Sequence, residues 1–414
     1  MKKYFIFKII FCTLFLSAVL TGYGQVKETA AGVKIISSGV PDKFTPYSFC
    51  AEKPMINALE MLPAGKLPFN INDIKITSTE RGIVVEIPLD DQEQLYGFGL
   101  QMGSFNQRGL RKRPIVNDNP LNDLGYTHGP TPFYVSNKGY GILINTARYT
   151  TFYCGSTDKL NKNTNHHTES KNGNSVDELY KTGNKASGYV TVDIPGAKGI
   201  EVFVFEGPDL KTVMQRYNLF SGGGALPAMW GLGIKYRVKA DFNQSQVEKM
   251  ANYFRSNHIP CDVFGLEPGW QTASYSCSYV WNRDFFPSPN EFIDTMKNKG
   301  FHINLWEHAF VSPKSPLYAP LKSHAGNYLV WNGLVPDFAD SVARNIFANY
   351  HQETFVKPGI SGFKMDECDN SNIAFGSNAW SFPELSQFPS GIDGEQMHQM
   401  FGVLYQKTIY DIYK

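Results

Sequence analysis

Short runs of apolar and β-branched residues dominate the chain from about residue 33 to residue 220. Three of the clearest are Gly82–Ile87, Gly139–Ile144 and Ile200–Phe205, each bounded by Gly, Pro, Asn or Asp. Runs of this length and composition, set between turn-forming residues, predict β-strands. Because many such strands follow one another, we predict an N-terminal β-sandwich domain over residues 25–225.

The pattern changes after Ser221–Gly224, where predicted strands begin to alternate with predicted helices. Apolar residues recur at helical spacing after each strand. The second helix has the sequence of a capping box, with Ser288 as N-cap, Pro289 at N1 and Glu291 at N3. The predicted strands are Gly231–Tyr236, Cys261–Leu266, Phe301–Trp306 and Ile360–Met365, and the helices carry the apolar residues Val247 to Phe254, Phe292 to Met296 and Val342 to Tyr350, with a fourth over Gln396–Tyr413.

Four βα units in series predict either an open parallel sheet or a (β/α)8 barrel. A complete barrel has eight strands in about 250 residues, whereas residues 226–414 supply four predicted strands. We therefore expect a β-sandwich followed by an α/β domain of the (β/α)8 type, of which only about the first four βα units are present.

The first 24 residues have the pattern of an export signal. Met1–Lys3 is positively charged, Tyr4–Leu20 is almost wholly apolar, and Gly22–Gly24 supplies small residues before a cleavage point at Gln25. A membrane anchor is the alternative, but Lys8 interrupts the apolar run and no stop-transfer pattern follows. We predict a signal peptide over residues 1–24, a periplasmic or extracellular protein, and no stable membrane insertion.

Composition and charge exclude several classes of protein. The net charge is +1, without a basic run that would follow a phosphate backbone, so we expect no nucleic-acid partner. Of the six cysteines, Cys12 lies in the predicted signal, and the other five are widely spaced without a C-x-x-C motif. Neither a disulfide scaffold nor a metal site is indicated, although one incidental disulfide remains open.

Carboxylates and aromatic rings follow the predicted strands. Glu267–Trp270 comes after the second strand, Trp306–His308 closes the third, and Lys364–Asp369 ends the fourth. Barrel enzymes carry their working side chains at these strand ends. Glycoside hydrolysis needs two carboxyl groups beside the scissile bond, together with groups that hold the sugar ring. Each residue alone is equally well explained by helix capping, ion pairing or packing, but together they predict a glycosidase without a cofactor.

Several tracts along the chain match the order and spacing of tracts in one known family. They are Leu95–Gly99, Gly129–Tyr134, Tyr217–Gly222, Leu226–Gly233, Trp281–Pro289 and Val335–Phe338. Through them the chain, from about residue 90 onward, resembles glycoside hydrolase family 31, whose members are retaining α-glycosidases. The resemblance implies an oligosaccharide or glycan substrate with a terminal α-linked sugar.

The resemblance also implies roles for individual residues. Asp366 takes the place of the nucleophile, which forms a covalent glycosyl-enzyme intermediate. Lys364 lies on the same side of the strand and gives a Lys-x-Asp tract like that of α-xylosidases in the family and α-galactosidases in related families. A cation there helps to keep Asp366 ionised and donates to a sugar hydroxyl. Glu267 stands where the family usually has an aspartate that binds sugar hydroxyls.

Other residues are expected around the bound sugar. Trp270 and Trp306 are the expected ring contacts, Glu307 is expected beside the substrate, and Asp118 belongs to a sandwich loop expected to close over the pocket. The Lys-x-Asp tract favours galactose- or xylose-configured sugars over glucosides and leaves an N-acetylgalactosaminide open. The oligomeric state is not indicated.

One part of the family's machinery has no counterpart in the sequence. The family's general acid/base is an aspartate beyond the fifth strand, and the predicted elements end at the fourth helix. Retention requires this second carboxyl group about 5–5.5 Å from the nucleophile. We therefore expect the chain to be a fragment that lacks its acid. The alternatives are a non-catalytic carbohydrate-binding protein or an inactive fragment and, less favoured, a structural or periplasmic assembly protein.

Overall fold

The computed structural model describes residues 24–49, 53–101, 103–117, 129–156, 188–368 and 381–414. The predicted signal peptide, apart from Gly24, and the predicted substrate contact Asp118 lie outside the described residues.

The N-terminal part is a sandwich of two antiparallel sheets. One sheet has the strand order β1-β2-β11-β8-β7-β5 and the other β3-β4-β10-β9-β6. The strands are β1 (Gln25–Ala30), β2 (Val33–Gly39), β3 (Lys75–Thr79), β4 (Gly82–Pro88), β5 (Leu95–Gly97), β6 (Arg111–Lys112), β7 (Phe133–Ser136), β8 (Tyr140–Ile144), β9 (Thr151–Cys154), β10 (Tyr189–Pro195) and β11 (Gly199–Glu206). The predicted β-sandwich is confirmed.

The sandwich core follows from the two-residue period of its strands. In β4, Ile83, Val85 and Ile87 are buried while the residues between them are partly exposed. Because alternate side chains point to opposite faces of a sheet, these three meet Ile142 and Val204 of the facing sheet in one apolar cluster.

A helix covers the outer face of the six-stranded sheet. A short helix, α1 (Ile56–Glu60), precedes it in the chain, and α2 (Leu210–Phe220) begins where the Asp209 carboxylate accepts from the Thr212 N–H. In α2, Tyr217 stacks on Phe133 with the ring centroids 3.9 Å apart. This packing fixes the point at which the chain leaves the sandwich.

The C-terminal part contains four parallel strands with helices between them, as predicted. The strands are β12 (Lys235–Arg237), β13 (Val263–Leu266), β14 (His302–Glu307) and β17 (Gly362–Met365), with a hairpin of β15 (Ala325–Val330) and β16 (Gly333–Pro336) between β14 and β17. The helices are α3 (Gln244–Ser256), α4 (Pro289–Asn298), α5 (Tyr318–Leu321), α6 (Ser341–His351) and α7 (Gly394–Asp411). The sheet order β12-β13-β14-β17 follows the chain, with all pairs parallel, as in an arc of a barrel.

Two local predictions were wrong. The first parallel strand begins at Lys235, because the preceding residues Met229–Leu232 form a 3-10 turn in which Trp230 stacks on His302 at 3.9 Å. Ser288 is the N-cap of α4, but its side chain makes no capping hydrogen bond. The reciprocal capping box lies instead at the start of α3, between Asn243 and Gln246. The hairpin β15–β16 was not predicted.

Polar contacts join the sandwich to the parallel-stranded part. Arg148 makes a two-bond ion pair with Asp42 and lies 3.8 Å from Glu395 of α7. The Val116 N–H donates to the Gln399 side chain of α7 at 2.8 Å. Helix α7 therefore holds the sandwich segment that leads toward Asp118.

Within the described ranges, no helix is long and apolar enough to span a bilayer, and no cluster of three or more His, Cys, Asp and Glu side chains is arranged to hold a metal ion. Among the cysteines that the structure describes, Cys154, Cys261 and Cys277 are buried free thiols.

Candidate active site

The parallel register brings polar side chains from four strands to one edge of the sheet. Trp306 is paired with Lys364, and Arg237 with Gly265. Because side chains alternate between the faces of a strand, Trp306, Lys364 and Asp366 project from the same face. Glu267, two residues after Gly265, joins Arg237 on that face.

Asp366 is the centre of this cluster. Its Oδ2 lies 2.8 Å from the Lys364 ammonium and accepts the Trp306 indole N–H at 2.6 Å. Its main-chain N–H donates to the Glu307 carbonyl at 2.8 Å. Partial burial raises the pKa of Asp366, but the hydrogen bonds from Lys364 and Trp306 and the charge of Lys364 outweigh it, so the pKa lies below its ordinary value. The side chain remains 39% exposed and accessible to a ligand.

A second carboxylate, Glu267, shares the same lysine. Its Oε2 lies 3.9 Å from the Lys364 ammonium and 2.5 Å from the Arg237 guanidinium. Both contacts use Oε2, which leaves Oε1 outside the two ion pairs. Asp366, Lys364, Glu267 and Arg237 therefore form a continuous row of alternating charges.

Arg237 is a member of the site that the sequence reasoning missed. It is the last residue of β12, so the rule that selected the other strand-end residues applies to it as well. It directly follows the predicted first strand, just as Glu267 and Asp366 follow theirs, so the sequence alone could have identified it. Lys235 on the same strand donates to the Asn304 side chain at 2.7 Å, and burial, with the neighbouring cations Lys364 and Arg237, lowers its pKa.

Of the two predicted ring contacts, the structure brings only Trp306 to the site. Trp306 is 2% exposed and uses its indole N–H to hold Asp366. Trp270 is 1% exposed, packs edge-on against Trp281 and Phe355, and donates its indole N–H to the Trp306 carbonyl at 2.7 Å. Both rings are almost completely buried, so neither offers a free face to a sugar, and the structure does not support the predicted ring contacts of Trp270 and Trp306.

The prediction for Glu307 is also wrong. Its side chain is fully buried on the opposite face of the sheet, where it accepts the Tyr405 hydroxyl at 2.5 Å and pairs with His351 Nε2 at 3.1 Å. His351 Nδ1 faces the Phe347 carbonyl at 2.9 Å, and a carbonyl only accepts, so Nδ1 carries a proton. Glu307 thus joins β14 to α6 and α7 and does not reach the Asp366 cluster.

Two further observations delimit the site. Asp118 is outside the described residues, while its neighbour Asn117 is buried. A cavity of about 600 Å³ lies elsewhere, between the sandwich segment Lys43–Phe49 and the residues His324 and Asp340. It shares no lining residue with the strand-end cluster.

Comparison with known protein families identifies the family of this chain. A model described as the glycosyl hydrolase 31 N-terminal galactose mutarotase-like domain matches residues 60–152, and a model described as the glycosyl hydrolases family 31 TIM-barrel domain matches residues 224–414. The chain belongs to glycoside hydrolase family 31. The resemblance inferred from the sequence tracts is therefore confirmed, as is the succession of sandwich and barrel.

Curated members of family 31 are longer than this chain. It is 23% identical over 346 residues to the α-xylosidase XylQ of Lactiplantibacillus pentosus, covering 79% of this chain and 39% of that protein. It is 22% identical over 318 residues to an α-glucosidase of Saccharolobus solfataricus, covering 72% of this chain and 41% of that protein. The chain thus spans about 40% of the length of these relatives.

Solved structures of family 31 share the fold. A dextranase from Flavobacterium johnsoniae complexed with glucose superposes with a TM-score of 0.70 at 17% identity, over 94% of this chain and 50% of that one. An α-xylosidase from a soil metagenome complexed with xylose superposes with a TM-score of 0.66 at 11% identity, over 95% of this chain and 62% of that one.

Proposed function

We propose that this chain carries the nucleophile side of a retaining α-glycosidase that releases terminal α-linked sugars from oligosaccharides or glycans. The observation that carries the proposal is the environment of Asp366, a half-buried carboxylate whose Oδ2 is held by Lys364 and Trp306. A carboxylate with a lowered pKa stays ionised, which a nucleophile requires.

In this proposal Asp366 attacks the anomeric carbon and the bond to the leaving oxygen breaks. The two side-chain donors bind Oδ2, so Oδ1 is the atom we expect to form the bond to the sugar. Water then cleaves the glycosyl ester and restores the carboxylate. A second carboxyl group must protonate the leaving oxygen and later activate that water, and the proposal assigns that role to no residue of this chain.

The sugar that is attacked is held by the charged row beside Asp366. Lys364 and Arg237 supply N–H donors, and Glu267 supplies an acceptor at Oε1, a combination suited to neighbouring hydroxyl groups of a pyranose. Lys-x-Asp and the α-xylosidase names among the relatives favour xylose- or galactose-configured sugars, with α-glucosides and α-N-acetylgalactosaminides as the other candidates.

The experiment is a turnover assay on nitrophenyl α-glycosides of xylose, galactose, N-acetylgalactosamine and glucose. It uses the 414-residue chain and, in parallel, the product read to the gene's own stop codon. Asp366→Asn keeps the shape of the side chain and an acceptor for Trp306, and we expect it to abolish turnover of the sugar that the wild type cleaves.

The matched control is Asp294→Asn, which changes an exposed aspartate on the outer helix α4 and should leave turnover unchanged. Turnover that survives Asp366→Asn contradicts the assignment of the nucleophile. Glycan binding without any turnover, in both forms of the protein, favours the non-catalytic carbohydrate-binding alternative.

Residues 1–24 are proposed to direct export to the periplasm or beyond the cell, with cleavage before Gln25. Cell fractionation and N-terminal sequencing of the recovered protein test this. A cytoplasmic protein that retains Met1–Gly24 contradicts it.

A further inference from the structure

A concave surface lies where the sandwich meets the parallel-stranded part, away from the strand-end cluster. We call this cavity of about 600 Å³ the junction cavity. The sandwich lines it with residues between Lys43 and Phe49, and the parallel-stranded part lines it with the turn at His324, the start of α6 and the loop at Ser390. Small-molecule sites have volumes of roughly 300–1,000 Å³ and occur preferentially at domain boundaries. The junction cavity has both properties.

One buried carboxylate, Asp337, holds the wall on the side of the parallel strands. Asp337 is fully buried and accepts the Ser390 N–H at 2.7 Å, the Ser390 hydroxyl at 3.0 Å and the Ala339 N–H at 3.1 Å. Its own N–H donates to the His324 carbonyl at 2.9 Å. Asp337 belongs to the Val335–Phe338 tract, which the strand-end cluster does not use. Lining residues from three segments are thus fixed around one side chain, as a preorganised site requires.

A histidine in this wall has one ring nitrogen fixed and the other open to a ligand. His324 Nδ1 lies 2.6 Å from Asp340 Oδ2, and Asp340 Oδ1 accepts the Val342 N–H at 2.9 Å. Burial raises the pKa of Asp340, but these bonds outweigh it, so the pKa lies below its ordinary value. Because the ionised carboxylate only accepts, Nδ1 carries a proton. Within the described ranges, Nε2 of His324 makes no hydrogen bond to the protein.

Three serine hydroxyl groups line the same cavity. In the part of the chain that the structure describes, the Ser323 and Ser341 side chains make no hydrogen bond, so both hydroxyls can donate and accept. The Ser48 hydroxyl donates to the Thr45 carbonyl at 2.8 Å and accepts the Thr45 N–H at 2.9 Å, which leaves it one acceptor lone pair. Groups that both donate and accept are the natural partners of a ligand that carries hydroxyls.

The sandwich side of the junction cavity is aromatic, and its charge is balanced. Phe44 and Phe49 stack with their ring centroids 5.8 Å apart and 9° between the ring planes. The Lys43 ammonium lies 4.8 Å from the centroid of the Phe44 ring, and its positive charge is opposite to that of Asp340. Hydroxyls on one side and aromatic rings on the other suit a neutral ring with polar edges and apolar faces, in preference to an anion.

We propose that the junction cavity is a second, non-catalytic binding site that takes a neutral saccharide. In this site the hydroxyls of a pyranose meet Ser323, Ser341 and His324 Nε2, and its C–H face packs on the side formed by Phe44 and Phe49. A saccharide bound here contacts both the sandwich and the parallel-stranded part. The inference does not depend on the proposed nucleophile, because the cavity and the strand-end cluster share no residue.

Chemical protection of His324 tests the proposal on the unchanged protein. Diethyl pyrocarbonate acylates an accessible imidazole nitrogen, and mass spectrometry of peptides locates each modified histidine. Glucose, galactose and maltose are the neutral probes, and inorganic phosphate is the anionic probe. His258 is exposed, lies just after α3 and does not line the cavity, so it is the matched control. We expect at least one saccharide to slow modification of His324 severalfold and to leave His258 unchanged.

A pair of serine substitutions tests whether the lining hydroxyls hold the saccharide. The saccharide concentration that halves the modification rate of His324 measures the affinity of this cavity alone. Ser323→Ala combined with Ser341→Ala should raise that concentration roughly tenfold, because the loss of each hydrogen bond weakens binding a few-fold. Both serines are exposed, so the variant should fold normally. Ser245→Ala, at an exposed serine in the first turn of α3, is the matched control and should have no effect.

Three outcomes overturn the proposal without touching the glycosidase assignment, which the Asp366-dependent turnover assay tests separately. The first is equal modification of His324 with and without every saccharide. The second is protection that the paired serine variant leaves unchanged. The third is stronger protection by phosphate than by any saccharide, which would assign the cavity to an anion. Conversely, if no glycoside is cleaved but His324 is protected as expected, the proposed function fails and the junction site stands.

Discussion

Glu307 and Asp366 are carboxylates at the ends of neighbouring parallel strands, and a main-chain hydrogen bond of 2.8 Å joins them. Their surroundings are nevertheless opposite. Glu307 is fully buried and bound to Tyr405 and His351, whereas Asp366 is 39% exposed and bound to Lys364 and Trp306. One faces the helices and the other faces the open edge of the sheet.

The difference shows that a position at the end of a strand does not by itself place a carboxylate in the site. The pleat sends adjacent residues to opposite faces, so Trp306 and Glu307 cannot both reach the site. Glu307 holds β14 against α6 and α7, and its main-chain carbonyl in turn holds Asp366. We therefore expect mutations at the two positions to separate stability from activity.

The largest effect is expected at Asp366. Asp366→Asn removes the proposed nucleophile, and turnover of the susceptible glycoside should fall roughly 10⁴-fold or more, as for nucleophiles in other covalent mechanisms. The unfolding free energy should change by less than about 1 kcal/mol, because the lost ion pair with Lys364 is partly exposed. Kinetics and urea denaturation on the same preparations measure both. A variant that unfolds easily, with activity lost in proportion, contradicts this separation.

The converse is expected at Glu307. Glu307→Ala leaves His351 and Tyr405 without their buried partner and should cost roughly 3–5 kcal/mol of unfolding free energy. Glu307→Gln retains an acceptor for Tyr405, so its cost should be nearer 1–3 kcal/mol. Urea denaturation gives both values. Folded Glu307→Gln should keep most of its turnover. A loss as large as that of Asp366→Asn would instead indicate that Glu307 contacts the substrate.

Much of this arrangement could be predicted from the sequence. The alternation of strands and helices fixes the parallel sheet, and the parallel sheet places Glu267, Lys364 and Asp366 at one edge. The sequence could also have excluded Glu307 from the site, since Glu307 directly follows Trp306 and therefore points to the other face of the sheet.

Other features depend on contacts that a single sequence does not contain. Trp270 is followed by polar residues, so nothing local distinguishes a buried ring from a sugar contact; its burial depends on Phe355, far along the chain. Tyr275 meets Trp331 at the β15–β16 hairpin. The Asn332–Gly333 dipeptide is a hairpin signal in the sequence, but it does not show which loop the hairpin contacts.

The pH dependence of the unfolding free energy tests whether His308 is buried in its neutral form. Burial lowers the pKa of His308 to about 4, below its ordinary value of 6.5. Between these values the unfolded chain binds a proton that the folded chain does not, so stability should fall as the pH drops through this window, by at most about 1.4 kcal/mol per pH unit from this group. His308→Gln should flatten that part of the stability profile, measured by urea denaturation from pH 7 to pH 4. An unchanged slope contradicts a neutral, buried His308.

The smallest effect on stability is expected at Lys364. The Lys364 and Asp366 side chains are 32% and 39% exposed, so solvent screens the pair, and Lys364→Met should cost less than about 1 kcal/mol of unfolding free energy. Its effect on the pH profile should nevertheless be clear. Although burial raises the pKa of Asp366, the bond and charge of Lys364 help to lower it. Without the lysine the pKa rises, and the acid limb of kcat/KM moves to higher pH.

Lys235→Met is the matched control for that shift. Lys235 is a lysine of the same sheet face, but its ammonium binds Asn304 instead of Asp366. It should therefore move the acid limb less than Lys364→Met does. Equal shifts would mean that the summed charge of the site, and not the 2.8 Å contact of Lys364, keeps Asp366 ionised. If the acid limb of kcat/KM stays in place in both variants, that limb reports the titration of a group other than Asp366. The comparison of Asp366 with Glu307 would then rest on turnover and stability alone.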